Sequence, residues 1–129
     1  MRDESKANEL EDRLIAFAVR VIKVADALPR SRVGRHVADQ LLRSGTAPSP
    51  NYAEARGSES RADFAHKRKI AVKELNETRV WLRIIGEANL VRPSLLKPLI
   101  EENSQLCRIM SVSITTVRMR QSGVGDTSQ

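Results

Sequence analysis

The sequence predicts an all-α protein, an antiparallel up-and-down four-helix bundle. Three observations carry that expectation. Apolar residues recur at helical spacing in four stretches, no stretch keeps the alternation of a half-buried strand, and the connections marked by Pro29, Gly57 and Pro93 are short. Long helices joined by short connections pack side by side in opposite directions. A chain of 129 residues is one domain's worth, long enough to bury about two-thirds of its unfolded surface. The expected division is a flexible acidic N-terminus over 1–8, the bundle over 9–120 and a flexible tail over 121–129.

The first helix runs from Glu9 to Leu28, with Leu10, Leu14, Phe17, Val21, Val24 and Leu28 on one stripe and Pro29 and Gly34 ending it. Ile15, Ala18 and Ile22 widen the stripe by a second flank, more than a small monomer needs, which points to another subunit. The segment from about Val33 to Gly57 reads two ways. Val37, Leu41 and Leu42 are helical in spacing and Tyr52-Ala53-Glu54-Ala55 resumes the pattern, but Ser44-Gly45-Thr46-Ala47-Pro48-Ser49-Pro50 reads as a breaker. Either two short helices flank a loop or one helix is kinked at the prolines, and propensity alone favours the loop.

The next helix starts at Ser60, which with Asp63 resembles a capping box. Phe64, Ala71, Leu75, Thr78, Leu82 and Ile85 keep its stripe, widened by Ile70, Trp81 and Ile84. Arg61, Arg68, Lys69, Lys73, Arg79 and Arg83 collect on the opposite arc, and the helix ends near Glu87-Ala88-Asn89. The last helix begins between Pro93 and Pro98, capped by Ser94 or Lys97. It places Leu99, Leu106, Met110 and Val117 in one row flanked by Ile100, Cys107 and Ile114. Its β-branched run from Ile109 to Val117 favours a strand, but helical spacing over more than twenty residues outweighs it.

Charge is the more telling part of the composition. Lysine and arginine total 22 against 16 aspartate and glutamate, a net +6, and sixteen of the basic residues are arginine. Residues 1–12 are net −3, residues 13–83 net +8 and the remainder +1. Arginine's planar fork suits phosphate and carboxylate, so a basic middle points to a polyanion partner or else to a solvated surface. Aromatic residues are only 3% of the chain, too few for recognition of single strands by stacking.

Other chemistry finds little footing. Lys67, Glu74 and Glu77 lie in or beside the apolar arc of the third helix and call for partners such as Arg43, Asn51 and Glu54. A structural network of these six, buried and fixing register, outweighs the alternative in which Glu54, Glu74 or Glu77 is a general base. The lone Asp63-x-x-His66 does not make a di-iron set, and Gly34, Gly45 and Gly57 are too isolated for a phosphate loop. His36, His66 and Cys107 show no nucleophile or zinc pattern. No cofactor, metal site or membrane span is expected, and without a hydrophobic leader at Met1-Arg2-Asp3-Glu4-Ser5-Lys6 the expected location is the cytoplasm.

The run Gln40-Leu41-Leu42-Arg43-Ser44-Gly45-Thr46-Ala47-Pro48-Ser49-Pro50-Asn51-Tyr52-Ala53-Glu54-Ala55 is recognisable. Taken with Ser60-Arg61-Ala62-Asp63-Phe64, Lys67, Ile70-Ala71-Val72-Lys73-Glu74, Glu77-Thr78 and Trp81-Leu82, it resembles the bacterial four-helix-bundle proteins, also called the 23S rRNA intervening-sequence protein family, over roughly residues 10–117. Ser49-Pro50-Asn51 stands where the family usually reads Gly-Ala-Asn or Pro-Ser-Asn, and Pro48 is a further departure. The resemblance implies one long second helix bent near Pro48/Pro50, overruling the loop. It also implies a homopentameric ring, like the accessory protein of diversity-generating retroelements. It supplies no reaction.

The functional expectation is therefore a non-enzymatic oligomeric scaffold that binds the backbone of structured RNA or DNA. Arg30, Arg32, Arg35, Arg61, Arg68, Lys69, Arg79 and Arg83 are the candidate phosphate contacts. The alternative is an adaptor for an acidic protein partner or polymerase, with Val72 and Val80 among the basic residues as its apolar contact.

Overall fold

The structure, a computed structural model, describes residues 2–121, with side chains described over 4–112. It contains five helical segments: α1 (Arg2–Ala27), α2 (Arg32–Thr46), α3 (Pro48–Arg56), α4 (Arg61–Glu87) and α5 (Pro93–Gln121). The described residues contain no strand. Val117 and Ile114, assigned to the apolar face of the last helix, lie outside the described side chains, and the tail beyond Gln121 lies outside the described residues.

Helix α1 begins at Arg2 rather than Glu9, so Arg2–Asn8, read from sequence as flexible, form its first turns. Glu4 places negative charge at the positive end of the helix dipole, which favours helix there. All six stripe residues from Leu10 to Leu28 are buried. Gly34 does not terminate α1; it lies in the first turn of α2, where its N–H donates to the Ser31 hydroxyl at 3.1 Å. A Cβ at Gly34 would sit 1.9 Å from the Pro29 carbonyl oxygen, so only glycine lets the turn close this tightly.

The stretch read locally as a breaker is helical on both sides of a single residue, Ala47, itself in right-handed helical conformation (φ −73°, ψ −33°). Pro48 sits at the start of α3, where a missing N–H costs nothing, and the Asn51 N–H reaches back to the Ala47 carbonyl at 3.2 Å. Ser44 and Gly45 are buried because small residues let helices approach. The Ser44 and Thr78 hydroxyls share a hydrogen bond of 3.0 Å, joining α2 to α4.

Helix α4 opens with the expected cap, the Asp63 N–H donating to Ser60 Oγ at 3.0 Å. It closes with Asn89 in the left-handed region (φ 55°), the Asn89 N–H bonded to the Gly86 carbonyl and the Leu90 N–H to that of Ile85. That pair of bonds is a Schellman ending, which satisfies two terminal carbonyls and turns the chain toward α5. Helix α5 starts at Pro93 instead of a Ser94 or Lys97 cap and carries Pro98 within it. Proline is compatible with the first helical position, and Pro98 forfeits a single ladder bond.

One aliphatic core unites the segments, with Phe17, Leu41, Leu75, Leu82, Leu106 and Met110 among its members. Asn103 lies inside it and donates to the Leu75 carbonyl at 3.1 Å. Pairs along the seams fall in a consistent sequence: Glu11 with Arg56 and Val21 with Gly45; Glu54 with Lys67 and Ser44 with Thr78; Leu75 with Asn103 and Gly86 with Leu96.

Candidate nucleic-acid interface

Six acidic side chains among the described residues hold a cation. Arg13 grips Glu102 with Nε and Nη2 at 3.1 and 2.8 Å and ties α1 to α5. Arg56 pairs with Glu11 at 2.7 Å, Lys67 with Glu54 at 2.7 Å and Arg83 with Glu87 at 2.7 Å. Arg43 holds Glu74 at 3.3 Å and also Glu77. Arg30, Arg32, Arg35, Arg61, Lys69 and Arg79 are exposed and make no ion pair among the described residues. Lys73, on the same arc of α4, is equally exposed and unpaired.

These cations lie in two groups. Arg61, Lys69 and Arg79, joined by the Glu87-paired Arg83, follow α4, and the helical rise separates Arg61 from Arg83 by about 33 Å. Arg30, Arg32 and Arg35 cluster at the α1–α2 turn, where Arg35 Nη1 donates to the Arg30 carbonyl at 2.8 Å. The edge-on contact of His36 with Trp81, centroids 5.9 Å apart, brings that turn to the end of the bundle that carries Arg83. Arg61 belongs to the opposite end of α4. The candidates thus form an extended track, not a pocket. Between its cations, Val80 and Ile84 expose 45% and 40% of their surface.

Arg68 does not belong to the track. It is 5% exposed, with its guanidinium carbon 5.1 Å from the Tyr52 ring centroid and 5.3 Å from that of Phe64. Its place on the helix turns it into the seam with α3. Burial pushes its pKa below the ordinary arginine value, and the Tyr52 phenol pulls the other way.

The expected buried network is also redrawn. Arg43, Glu54, Lys67, Glu74 and Glu77 do pair across α2, α3 and α4, but at the surface: the Arg43 side chain is 50% exposed and that of Glu54 59%. Long side chains from border positions carry their charges outward to water. Asn51 stays apart from these pairs, its side-chain amide donating to the Ala47 carbonyl at 3.0 Å in its own helix. Among the described residues, the buried polar side chains are Ser44, Thr78, Asn103 and Arg68. Asn103 was legible in principle, since it falls in the i, i+3, i+4 row of Leu96, Leu99, Leu106 and Met110.

Glu54, Glu74 and Glu77, the carboxylates considered as general bases, are each held by a cation. Glu77 is occupied by Arg43 and by the Trp81 indole N–H at 3.1 Å. The described residues contain no group of three or more histidine, cysteine, aspartate or glutamate side chains placed to hold a metal. An apolar cleft of about 230 Å³ between the end of α4 and the start of α5, lined by Gly86, Val91, Pro93, Leu96, Lys97 and Ile100, carries no carboxylate. No described helix is long and apolar enough to cross a membrane.

Comparison with known proteins fits this architecture. Residues 6–112 match the family model described as 23S rRNA-intervening sequence protein. A protein of unknown function from the S23 ribosomal protein family of Bacteroides thetaiotaomicron has a similar crystal structure. It shows 30% sequence identity and a TM-score of 0.76, over 81% of this chain and 97% of that one. No curated protein matches the chain. With the family model spanning all of α2, α3 and α4 and most of α1 and α5, the chain belongs to the 23S rRNA-intervening sequence protein family.

Proposed function

We propose that the protein is a cytoplasmic, non-enzymatic, homo-oligomeric scaffold, a five-membered ring of antiparallel up-and-down bundles. The ring binds the backbone of structured nucleic acid, ribosomal RNA being the form its family name points to. The observation that carries this reading is a run of exposed cations with no ion pair among the described residues: Arg61, Lys69 and Arg79 along α4, and Arg30, Arg32 and Arg35 at the α1–α2 turn. Five copies of a +6 chain total about +30, a field strong enough to draw in a phosphate backbone. The reversed order of the seam pairs supports the antiparallel topology. Ile15, Val19 and Ile22, spaced i, i+4, i+7 and 43–47% exposed along α1, support a subunit contact.

Arg61→Ala/Lys69→Ala/Arg79→Ala tests the reading by fluorescence anisotropy on a structured RNA. The triple variant is expected to lose at least tenfold in affinity while keeping its helical circular dichroism, and Arg13→Ala, whose guanidinium is committed to Glu102, to bind like the parent. Equal affinity in all three proteins sinks the proposal. A second reading, an adaptor for an acidic protein partner, is favoured by the exposed Val80 and Ile84 beside Arg79 and Arg83. Its mark is a salt-sensitive protein complex with no affinity for plain duplexes.

A further inference from the structure

Arg68 has two buried donors that no described residue accepts. Its Nε and Nη2 are both inaccessible and both without a hydrogen-bond partner among the described residues. On a guanidinium these two N–H groups point the same way and form the fork that takes a carboxylate or phosphate bidentately. The chain itself displays the completed form at Arg13, where the same two atoms hold the two oxygens of Glu102 at 3.1 and 2.8 Å.

At Arg68 the aromatic rings of Tyr52 and Phe64 attract the cation but accept no N–H in the plane of the fork. Glu11, Glu54 and Glu74 are paired with Arg56, Lys67 and Arg43, and no carboxylate among the described residues forms an ion pair with Arg68. A buried charge with neither counter-ion nor full hydrogen bonding is costly.

We propose that the Nε/Nη2 edge of Arg68 is a binding site for a single oxyanion, admitted past the ring of Phe64. Tyr52 is 2% exposed and forms the fixed wall. Phe64 is only half-buried and stands in the first turns of α4, so a side-chain rotation opens the fork to solvent. Arg61, exposed, without an ion pair among the described residues and two turns before Arg68 on the same side of α4, draws anions to that mouth. The chemistry is common to inorganic phosphate, a small carboxylate and a nucleic-acid phosphate. The site lies within one chain, independent of the ring and of the exposed track.

The test is a thermal melt of the whole protein in rising inorganic phosphate, and separately in acetate, with chloride holding ionic strength constant. Saturable binding to the folded state raises the melting point by several degrees at a hundredfold excess over Kd. The wild type is expected to show that rise with at least one of the two anions, and Arg68→Met to show none. No saturable rise with either anion, or an equal rise in Arg68→Met, overturns the site. Should the variant not fold, the Arg68 Nε–H resonance of the wild type is followed in a phosphate titration, where movement to saturation supports the site and a stationary resonance refutes it. RNA affinity then separates the sources: weaker binding by Arg68→Met assigns the fork to a nucleic-acid phosphate, and unchanged binding to a free ion.

Discussion

Replacing Gly45 with alanine probes how closely α2 is fitted to α1. A Cβ at this position would lie 2.7 Å from both Cγ1 and Cγ2 of Val21. Val21 is fully buried, and a β-branched side chain on a helix has one strongly preferred rotamer, so it cannot turn away. Alanine gains up to about 1 kcal/mol over glycine in helix propensity, whereas overpacking costs about 1–3 kcal/mol. With two clashing methyls the cost falls in the upper part of that range, for a net loss of about 1–2 kcal/mol. Val21→Ala alone removes two buried methyl groups and costs about 2–3 kcal/mol. In the double variant the new methyl occupies part of the vacated space, so its loss should fall short of the sum by more than about 1 kcal/mol. Urea unfolding followed by circular dichroism, at one protein concentration so that assembly does not shift the baseline, measures all four corners of the cycle. A Gly45→Ala protein as stable as the parent, or losses additive to within about 0.5 kcal/mol, refutes the close-fit argument.

Asn103→Asp places a carboxylate against the Leu75 carbonyl in the core, where the folded protein favours its neutral form and raises its pKa. The variant should therefore lose about 3–5 kcal/mol at pH 7 and recover much of it as the pH falls from 7 toward about 4, as denaturation at the two pH values will show. Glu102→Gln weakens the α1–α5 tie to Arg13, which is partly exposed; a loss of about 0.5–1 kcal/mol is expected, vanishing in 1 M salt. Burial pushes the Cys107 thiol up, against the opposing pull of Arg79 and Arg108. Iodoacetamide should accordingly modify it more slowly than free cysteine at pH 7.5, with a rate that still climbs at pH values where free cysteine has levelled off.

The long apolar rows of α1, α4 and α5 were legible because each repeats over enough turns for period to outweigh propensity. The six residues from Leu10 to Leu28 fall on the buried stripe, and Ser60 caps where its spacing to Asp63 indicates. The segment from Ser44 to Pro50 was misread locally. Its small residues look like turn formers, yet they serve close packing against Val21 and Thr78, a use visible only once the neighbouring helices are in place. The extent of α1 was underestimated because Arg2–Asn8 carry no apolar row. For the site, charge pattern found the exposed arginines but could not separate Arg68 from them. A helical wheel gives direction along one helix only, and the covering rings include Tyr52 from α3. Flexible border side chains misled in the opposite sense, carrying the Arg43, Glu74 and Lys67 charges outward from positions that look buried.

The central claim is a backbone-binding oligomer, and its most direct test is the salt dependence of RNA affinity measured together with particle mass by light scattering. Each phosphate contact contributes a slope of about −0.7 to −0.9 in log K against log salt. A particle of five-chain mass, with a steep slope that flattens by several units in the Arg61→Ala/Lys69→Ala/Arg79→Ala protein, is the predicted result. A monomer, or an affinity with no slope, contradicts the account.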